Sequence, residues 1–199
     1  ISPDQSTLAI GCEDGRIRLF SIYERTVEFL RGFEAADVAK NGESARILSL
    51  AWDSQGTSLI SGSASGSIKL WNPSTGRPIH SISLTNLSIW SVAFCDSQTF
   101  VTGDSKGQVQ FWDIRSGTLL QSFPAFGADV LSLTCLDEKR IFASGVDHKI
   151  VEFVKVTAPN AVGHIADKWI IGGKRYFHTH DVKSLTCLTI KYENESLLE

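Results

Sequence analysis

At 199 residues, with 42% hydrophobic and 21% charged residues, the chain can bury a core, which excludes a disordered tail. Its net charge of -3 offers no broad attractive surface to nucleic acid, so any such contact must come from a local basic cluster. No apolar run approaches the ~18 residues of a membrane span, and no secretory signal is visible at Ile1.

The sequence contains no methionine and opens Ile1-Ser2-Pro3-Asp4, which gives the expectation of a piece of a longer protein. The first predicted pair of strands ends at Ile10-Gly11 and runs to Phe20, with Asp14 in the turn. An insertion follows around Phe33 to Arg46. Ile47 to Trp52 reads as a strand, and residues 58–62 form a short apolar one ending in Gly62. Ala64-Ser65-Gly66 is turn chemistry. Residues 67–71 then alternate polar and apolar up to Trp71, as a half-buried strand should. A fourth strand follows Ser74-Thr75-Gly76. The same order returns at Ile89 to Phe94, Thr102-Gly103, Trp112-Asp113 and Arg115-Ser116-Gly117. It returns again at Val130 to Cys135 and from Ala143-Ser144 to Phe153, where a second insertion reaches His178. Val182 to Leu188 opens one more strand.

Three landmarks share one register. Gly11, Gly62, Gly103 and Ser144 are small; Phe20, Trp71, Trp112 and Phe153 are aromatic; Ile17, Ile68, Val109 and Ile150 are β-branched. The small and aromatic series both step by 51, 41 and 41 residues. Four strands in about 41 residues is the blade of a β-propeller. The predicted class is therefore all-β, a propeller fragment of four-stranded antiparallel blades. Its expected parts are a blade portion at 1–31, blades at 46–84, 89–123 and 130–177, and the start of another at 182–199.

The repeats resemble the WD40 family. Trp112-Asp113 matches its signature dipeptide, Trp71-Asn72 is a near version, and residues 61–71 follow its characteristic stretch. Phe177-His178 stands where that family has Gly-His. The resemblance implies a network joining a histidine, a turn aspartate, a strand hydroxyl and the tryptophan. Asp14 and Asp147 occupy the turn position, but Ser65 and Lys106 replace it elsewhere. Glu43, Thr85 and Phe126 hold the histidine position in the other repeats. The structural residues expected are thus Gly11, Asp14, Phe20, Gly62, Trp71, Gly103, Trp112, Asp113, Asp147, Phe153 and His178.

Catalytic patterns are lacking. There is no Gly-x-Ser-x-Gly elbow, and Gly172-Gly173-Lys174 lacks the first glycine of a phosphate loop. Cys12, Cys95, Cys135 and Cys187 include no Cys-x-x-Cys pair and read as small core residues, Cys135 and Cys187 lying in a repeated Ser-Leu-Thr-Cys-Leu. No cofactor, metal or small-molecule substrate is expected. His178 and His180 would share a face if extended, but structural and solvated roles suffice for them. The sequons at Asn86 and Asn194 read as accidental. Residues 168–180 combine the cations Lys168, Lys174 and Arg175 with Trp169, Tyr176 and Phe177. They suit either a solvated rim with aromatics packed between blades, or contact with RNA or a protein partner.

A narrower resemblance rests on residues 43–52, 89–92, 102–113, 117–122, 145–151 and 178–185, with Gly103-Asp104-Ser105 and Gln110-Phe111-Trp112-Asp113 its most specific parts. In order and over most of the chain these are similar to the cirhin family of WD40 proteins. That likeness implies a non-catalytic scaffold of the nucleolar small-subunit processome. It would act in pre-rRNA processing, small-subunit biogenesis and rRNA transcription, beside other WD-repeat subunits and pre-rRNA, bound directly or indirectly. A WD40 adaptor of another complex, such as a ubiquitin-ligase substrate receptor or a signalling scaffold, is the alternative. A propeller enzyme is a third reading, for which the sequence supplies no cluster of acids, histidines or metal ligands.

Overall fold

The computed structural model describes residues 1–24, 26–35, 45–159 and 165–187. In chain order the strands are β1 (Thr7–Gly11), β2 (Arg16–Tyr23), β3 (Thr26–Glu34), β4 (Ile47–Trp52), β5 (Leu59–Ser63), β6 (Ser67–Asn72), β7 (Arg77–Ser83) and β8 (Ile89–Phe94). They continue with β9 (Thr99–Asp104), β10 (Gln108–Asp113), β11 (Leu119–Pro124), β12 (Val130–Asp137), β13 (Arg140–Gly145), β14 (Ile150–Pro159) and β15 (Ile165–Arg175). Consecutive strands pair antiparallel in four sheets: β1-β2-β3, β4 to β7, β8 to β11, and β12 to β15. The all-β expectation of antiparallel blades is met, the first sheet holding three strands and the others four. Glu43, His164, Asn194 and the part of 182–199 beyond residue 187 lie outside the described residues.

Neighbouring residues on a strand face opposite sides, and this chain buries both. Trp71 packs with Ile17, Leu19 and Ile47 between the first two sheets, while Leu70 packs with Ile89, Phe100 and Trp112 between the second and third. On β10, Trp112 faces the second sheet and Phe111 the fourth, with Val130, Val151 and Phe153. The core is therefore a series of layers between successive sheets.

What sets each layer's spacing is the small residue at the strand end. A Cβ on Gly11 would lie 2.5 Å from Ile47 Cγ2, on Gly62 2.5 Å from Ile89 Cγ2, and on Gly103 2.6 Å from Val130 Cγ1. Each glycine thus seats the β-branched residue that opens the next sheet. Ser144 takes the place in the fourth sheet, where its hydroxyl donates to the Val182 carbonyl at 2.9 Å and the Val182 N–H donates to Gly145 O at 3.0 Å.

The hairpin after this strand needs a left-handed residue. Gly15, Gly66 and Gly107 supply it with φ of 75°, 83° and 77°; a Cβ on Gly66 or Gly107 would lie 2.1 Å from a carbonyl oxygen. His148 fills the equivalent place in the fourth sheet at φ 44°.

The strand-end contact should be measurable. Gly62→Ala forces a methyl into Ile89 and should cost about 1–3 kcal/mol. Gly32→Ala meets nothing closer than Ile17 O at 3.6 Å and should stay within about 0.5 kcal/mol. Denaturant unfolding of the two variants checks the contrast.

Candidate functional site

The signature tryptophans are tied down inside their own blades. Trp71 Nε1 donates to Ser61 Oγ at 2.9 Å, and Trp112 Nε1 to Thr102 Oγ1 at 3.0 Å. Both rings are buried. Phe153 and Phe20 have no N–H to satisfy, and the residues in the register of Ser61 and Thr102 are then Ala143 and Ile10. The hydroxyl occurs only where an indole needs it, as the cost of an unpaired buried donor requires. Asp113 serves the following turn, its Oδ1 accepting the Ser116 N–H at 2.7 Å and the Ser116 hydroxyl at 2.7 Å.

The turn positions divide two ways. Asp14 accepts from Arg16 N–H at 3.1 Å and from Arg18, and Asp147 accepts from Gly127 N–H at 2.6 Å and Lys149 Nζ at 2.9 Å. In the middle sheets, Ser65 and Lys106 do not leave the turns open. Residues two places earlier close them: Ser63 Oγ accepts the Ser67 N–H, and the buried Asp104 Oδ1 accepts those of Lys106 and Gln108. His178 stays exposed.

A repeated clasp on the outer strands escaped the sequence reading. Opposite Leu19, Leu70 and Phe111, the outer strand of each sheet places Arg31, His80 and Gln121. Each reaches the next sheet. Arg31 donates to Ser74 O, and His80 Nε2 lies 3.0 Å from Arg115 O. Gln121 takes both polar groups of the Trp169 backbone, accepting at 2.6 Å and donating at 3.1 Å. Beside this residue each strand carries a one-residue bulge, occupied by the exposed Leu30, Ile79 and Leu120. On β15 the bulge residue is Gly172 and the clasp position Gly173.

The basic-aromatic stretch lies on β15 and just beyond it. Of the two readings of this stretch, Trp169 follows the packed one: it is 3% exposed and stacks on Phe111 at 4.6 Å, and the Gln121 clasp holds its backbone against the third sheet. The three cations are exposed, but the structure splits them. Lys168 pairs with Val156 near one end of the hairpin, whereas Lys174 and Arg175 pair with Val151 and Ile150 at the other. Six residues at ~3.3 Å each put Lys168 and Lys174 about 20 Å apart. Near Arg175, Tyr176 sets its exposed ring edge-on to His148 at 6.5 Å.

Lys168 borders a groove of about 360 Å³ between the third and fourth sheets, lined also by Asp113, Leu120, Lys155 and Asp167. Lys155 bridges Asp96 at 2.9 Å and Asp167 at 3.5 Å. Burial disfavours its ammonium, but those two carboxylates outweigh it and its pKa is raised. The groove's charges are thus mostly spent on one another. Among the described residues, no group of three or more His, Cys, Asp and Glu is placed to hold a metal ion.

The family profile described as the anaphase-promoting complex subunit 4 WD40 domain matches residues 32–97. The human U3 small nucleolar RNA-associated protein 4 homolog is 32% identical over 196 residues, covering 92% of this chain. The U3 small nucleolar RNA-associated protein 4 of Saccharomyces cerevisiae is 30% identical over 197 residues, covering 93%. The chain spans only 27% and 24% of the length of these two relatives. Among solved structures, that of U3-55K superposes with a TM-score of 0.68 at 16% identity, over 84% of this chain and 49% of that one. At that identity it speaks to fold alone.

Two measurements probe these contacts. Trp112→Phe keeps a ring but orphans the Thr102 hydroxyl, and should cost about 1–3 kcal/mol; Trp112→Ala opens a cavity and should cost about 3–5 kcal/mol. A stable Trp112→Ala protein would contradict the structural role. The second measurement concerns pH. The Gly127 N–H and then Lys149 hold Asp147 below the usual carboxylate range. A lowered pKa stabilises the fold fully above the unfolded value, roughly pH 4, and that stability is lost as pH falls through the folded one. Asp147→Asn should therefore lose less stability than the parent on acidification below roughly pH 4, as read by thermal melts.

Proposed function

We propose that the chain is a WD40-repeat protein that serves as a non-catalytic scaffold of the nucleolar small-subunit processome. Its work there is in pre-rRNA processing, small-subunit biogenesis and rRNA transcription, and its place in the cell is the nucleolus. The observation that carries this reading is the identity of 30–32% with the human and yeast U3 small nucleolar RNA-associated proteins 4, spread over more than nine tenths of the chain. These relatives are the cirhin group to which the sequence motifs are similar. Its partners are other WD-repeat subunits and pre-rRNA. The chain supplies consecutive blades, 46–84, 89–123 and 130–177, after a partial blade at 1–31; residues 182–187, where another is expected to start, form no strand.

A scaffold role also fits how the polar groups are used. The Trp71 and Trp112 indoles, Asp113, Asp147 and the Arg31, His80 and Gln121 side chains are engaged in holding turns and sheets together. A second reading, an adaptor of another complex, draws support from the profile match, which covers residues 32–97 only.

Affinity purification of the full-length protein tests the first reading. We expect processome WD-repeat subunits and pre-rRNA to be recovered; ubiquitin-ligase or signalling partners in their place would favour the second. Direct RNA contact we assign to Lys168, Lys174 and Arg175. Replacing all three with glutamate, with folding checked by thermal melt, should abolish crosslinking to RNA in cells while assembly persists. Because the cations are separated, Lys168→Glu alone should remove only part of it. Undiminished crosslinking of the triple variant would show that these cations do not hold RNA.

A further inference from the structure

Between the third and fourth sheets two free cysteines share one core layer. The first strand of a sheet ends in Trp52 opposite Leu59, or in Phe94 opposite Phe100. In the fourth sheet that register position, opposite Ile141, holds Cys135. The aromatic ring is replaced by a short side chain that turns to its neighbour. Cys135 Sγ donates to Phe94 O at 3.0 Å, and Cys95, the next residue, is buried in the same core layer against which Cys135 packs. Cys95 is 6% exposed and Cys135 half-buried, and neither is in a disulfide.

We propose that Cys95 and Cys135 are a redox site, which an oxidant of the peroxide class converts to a disulfide joining the third blade to the fourth. Cys135, the more accessible, reacts first. Its sulfur attacks the peroxide O–O bond and becomes a sulfenic acid as one water leaves. The Cys95 sulfur then attacks the Cys135 sulfur; the S–S bond forms, the S–OH bond breaks, and the hydroxyl leaves with the Cys95 proton as a second water. The dithiol gives up two electrons and two protons, and one peroxide becomes two waters. Burial pushes the Cys95 thiol up, so it waits as the neutral thiol and the second step is the slower one. The bond would form beside the Asp96–Lys155 bridge, at the joint that the Gln121 clasp also closes, and would bar these two sheets from parting.

Hydrogen peroxide treatment of the full-length protein, followed by alkylation in denaturant and non-reducing peptide mapping, tests this. We expect a Cys95–Cys135 linked peptide that dithiothreitol removes, and a raised Tm that reverses with it. Cys12 and Cys187 should stay alkylated. Cys135→Ser should abolish both the link and the rise in Tm, and the mapping of the unaltered protein decides the matter even where that variant folds poorly. Full alkylation of both cysteines after peroxide, sulfinic acid at Cys135 with Cys95 still a thiol, or a link to Cys12 or Cys187 would each overturn the proposal.

Discussion

The contact on which the other features depend is that between a strand-end glycine and the β-branched residue opening the next sheet. Gly11 seats Ile47, Gly62 seats Ile89 and Gly103 seats Val130, each so tightly that a methyl group would lie within 2.6 Å of the partner. Once that distance is set, the faces of adjacent sheets can close over Leu19, Leu70 and Phe111 on one side and Trp71, Trp112 and Phe153 on the other. Burial of those large side chains, at roughly 1.5–3 kcal/mol each, supplies the drive. The glycines decide where it is realised.

The fourth sheet departs from this pattern in several places at once. Ser144 replaces the glycine, His148 takes the left-handed turn position, and Glu152 lies in the register of Leu19, Leu70 and Phe111. Gly172 and Gly173 remove both the exposed bulge residue and the outer clasp. The same sheet carries Cys135 in the place of an aromatic ring and the three cations on its outer strand. Its face toward the third sheet keeps the aromatic packing, with Phe153 and Trp169 against Phe111, but carries Cys135 where a ring would stand. Its other differences gather on the outer strand, the turns and the opposite face.

Much of the fold was legible because it rests on periodicity. Steps of 51, 41 and 41 residues in the glycine and aromatic series located the sheets, and Ser-Thr-Gly and Arg-Ser-Gly located the outer strands. The indole partners were also readable, since Ser61 and Thr102 each stand ten residues before a tryptophan while Ala143 and Ile10 precede phenylalanines. Asp104 was overlooked because an aspartate was sought two residues later. The clasp was hidden for a physical reason: arginine, histidine and glutamine satisfy one demand, a polar reach to a neighbouring backbone, so composition does not mark the position. Trp169 was ambiguous because a tryptophan among lysines reads alike whether it stacks on a base or on Phe111.

The proposed scaffold role needs blades held rigidly side by side, and so returns to the strand-end joint. A double-mutant cycle between Gly103 and Val130 tests it most directly. The Cβ added by Gly103→Ala meets Val130 Cγ1 at 2.6 Å, Ser91 Oγ at 2.7 Å and Val130 Cβ at 2.8 Å, so trimming the partner with Val130→Ala removes the closest of these contacts and should relieve part of the clash. The account predicts that the double variant is more stable than the sum of the single changes by at least about 1 kcal/mol, within the range found for residues in contact. Additivity within about 0.3 kcal/mol would contradict it, because the glycine would then not be there to seat its neighbour.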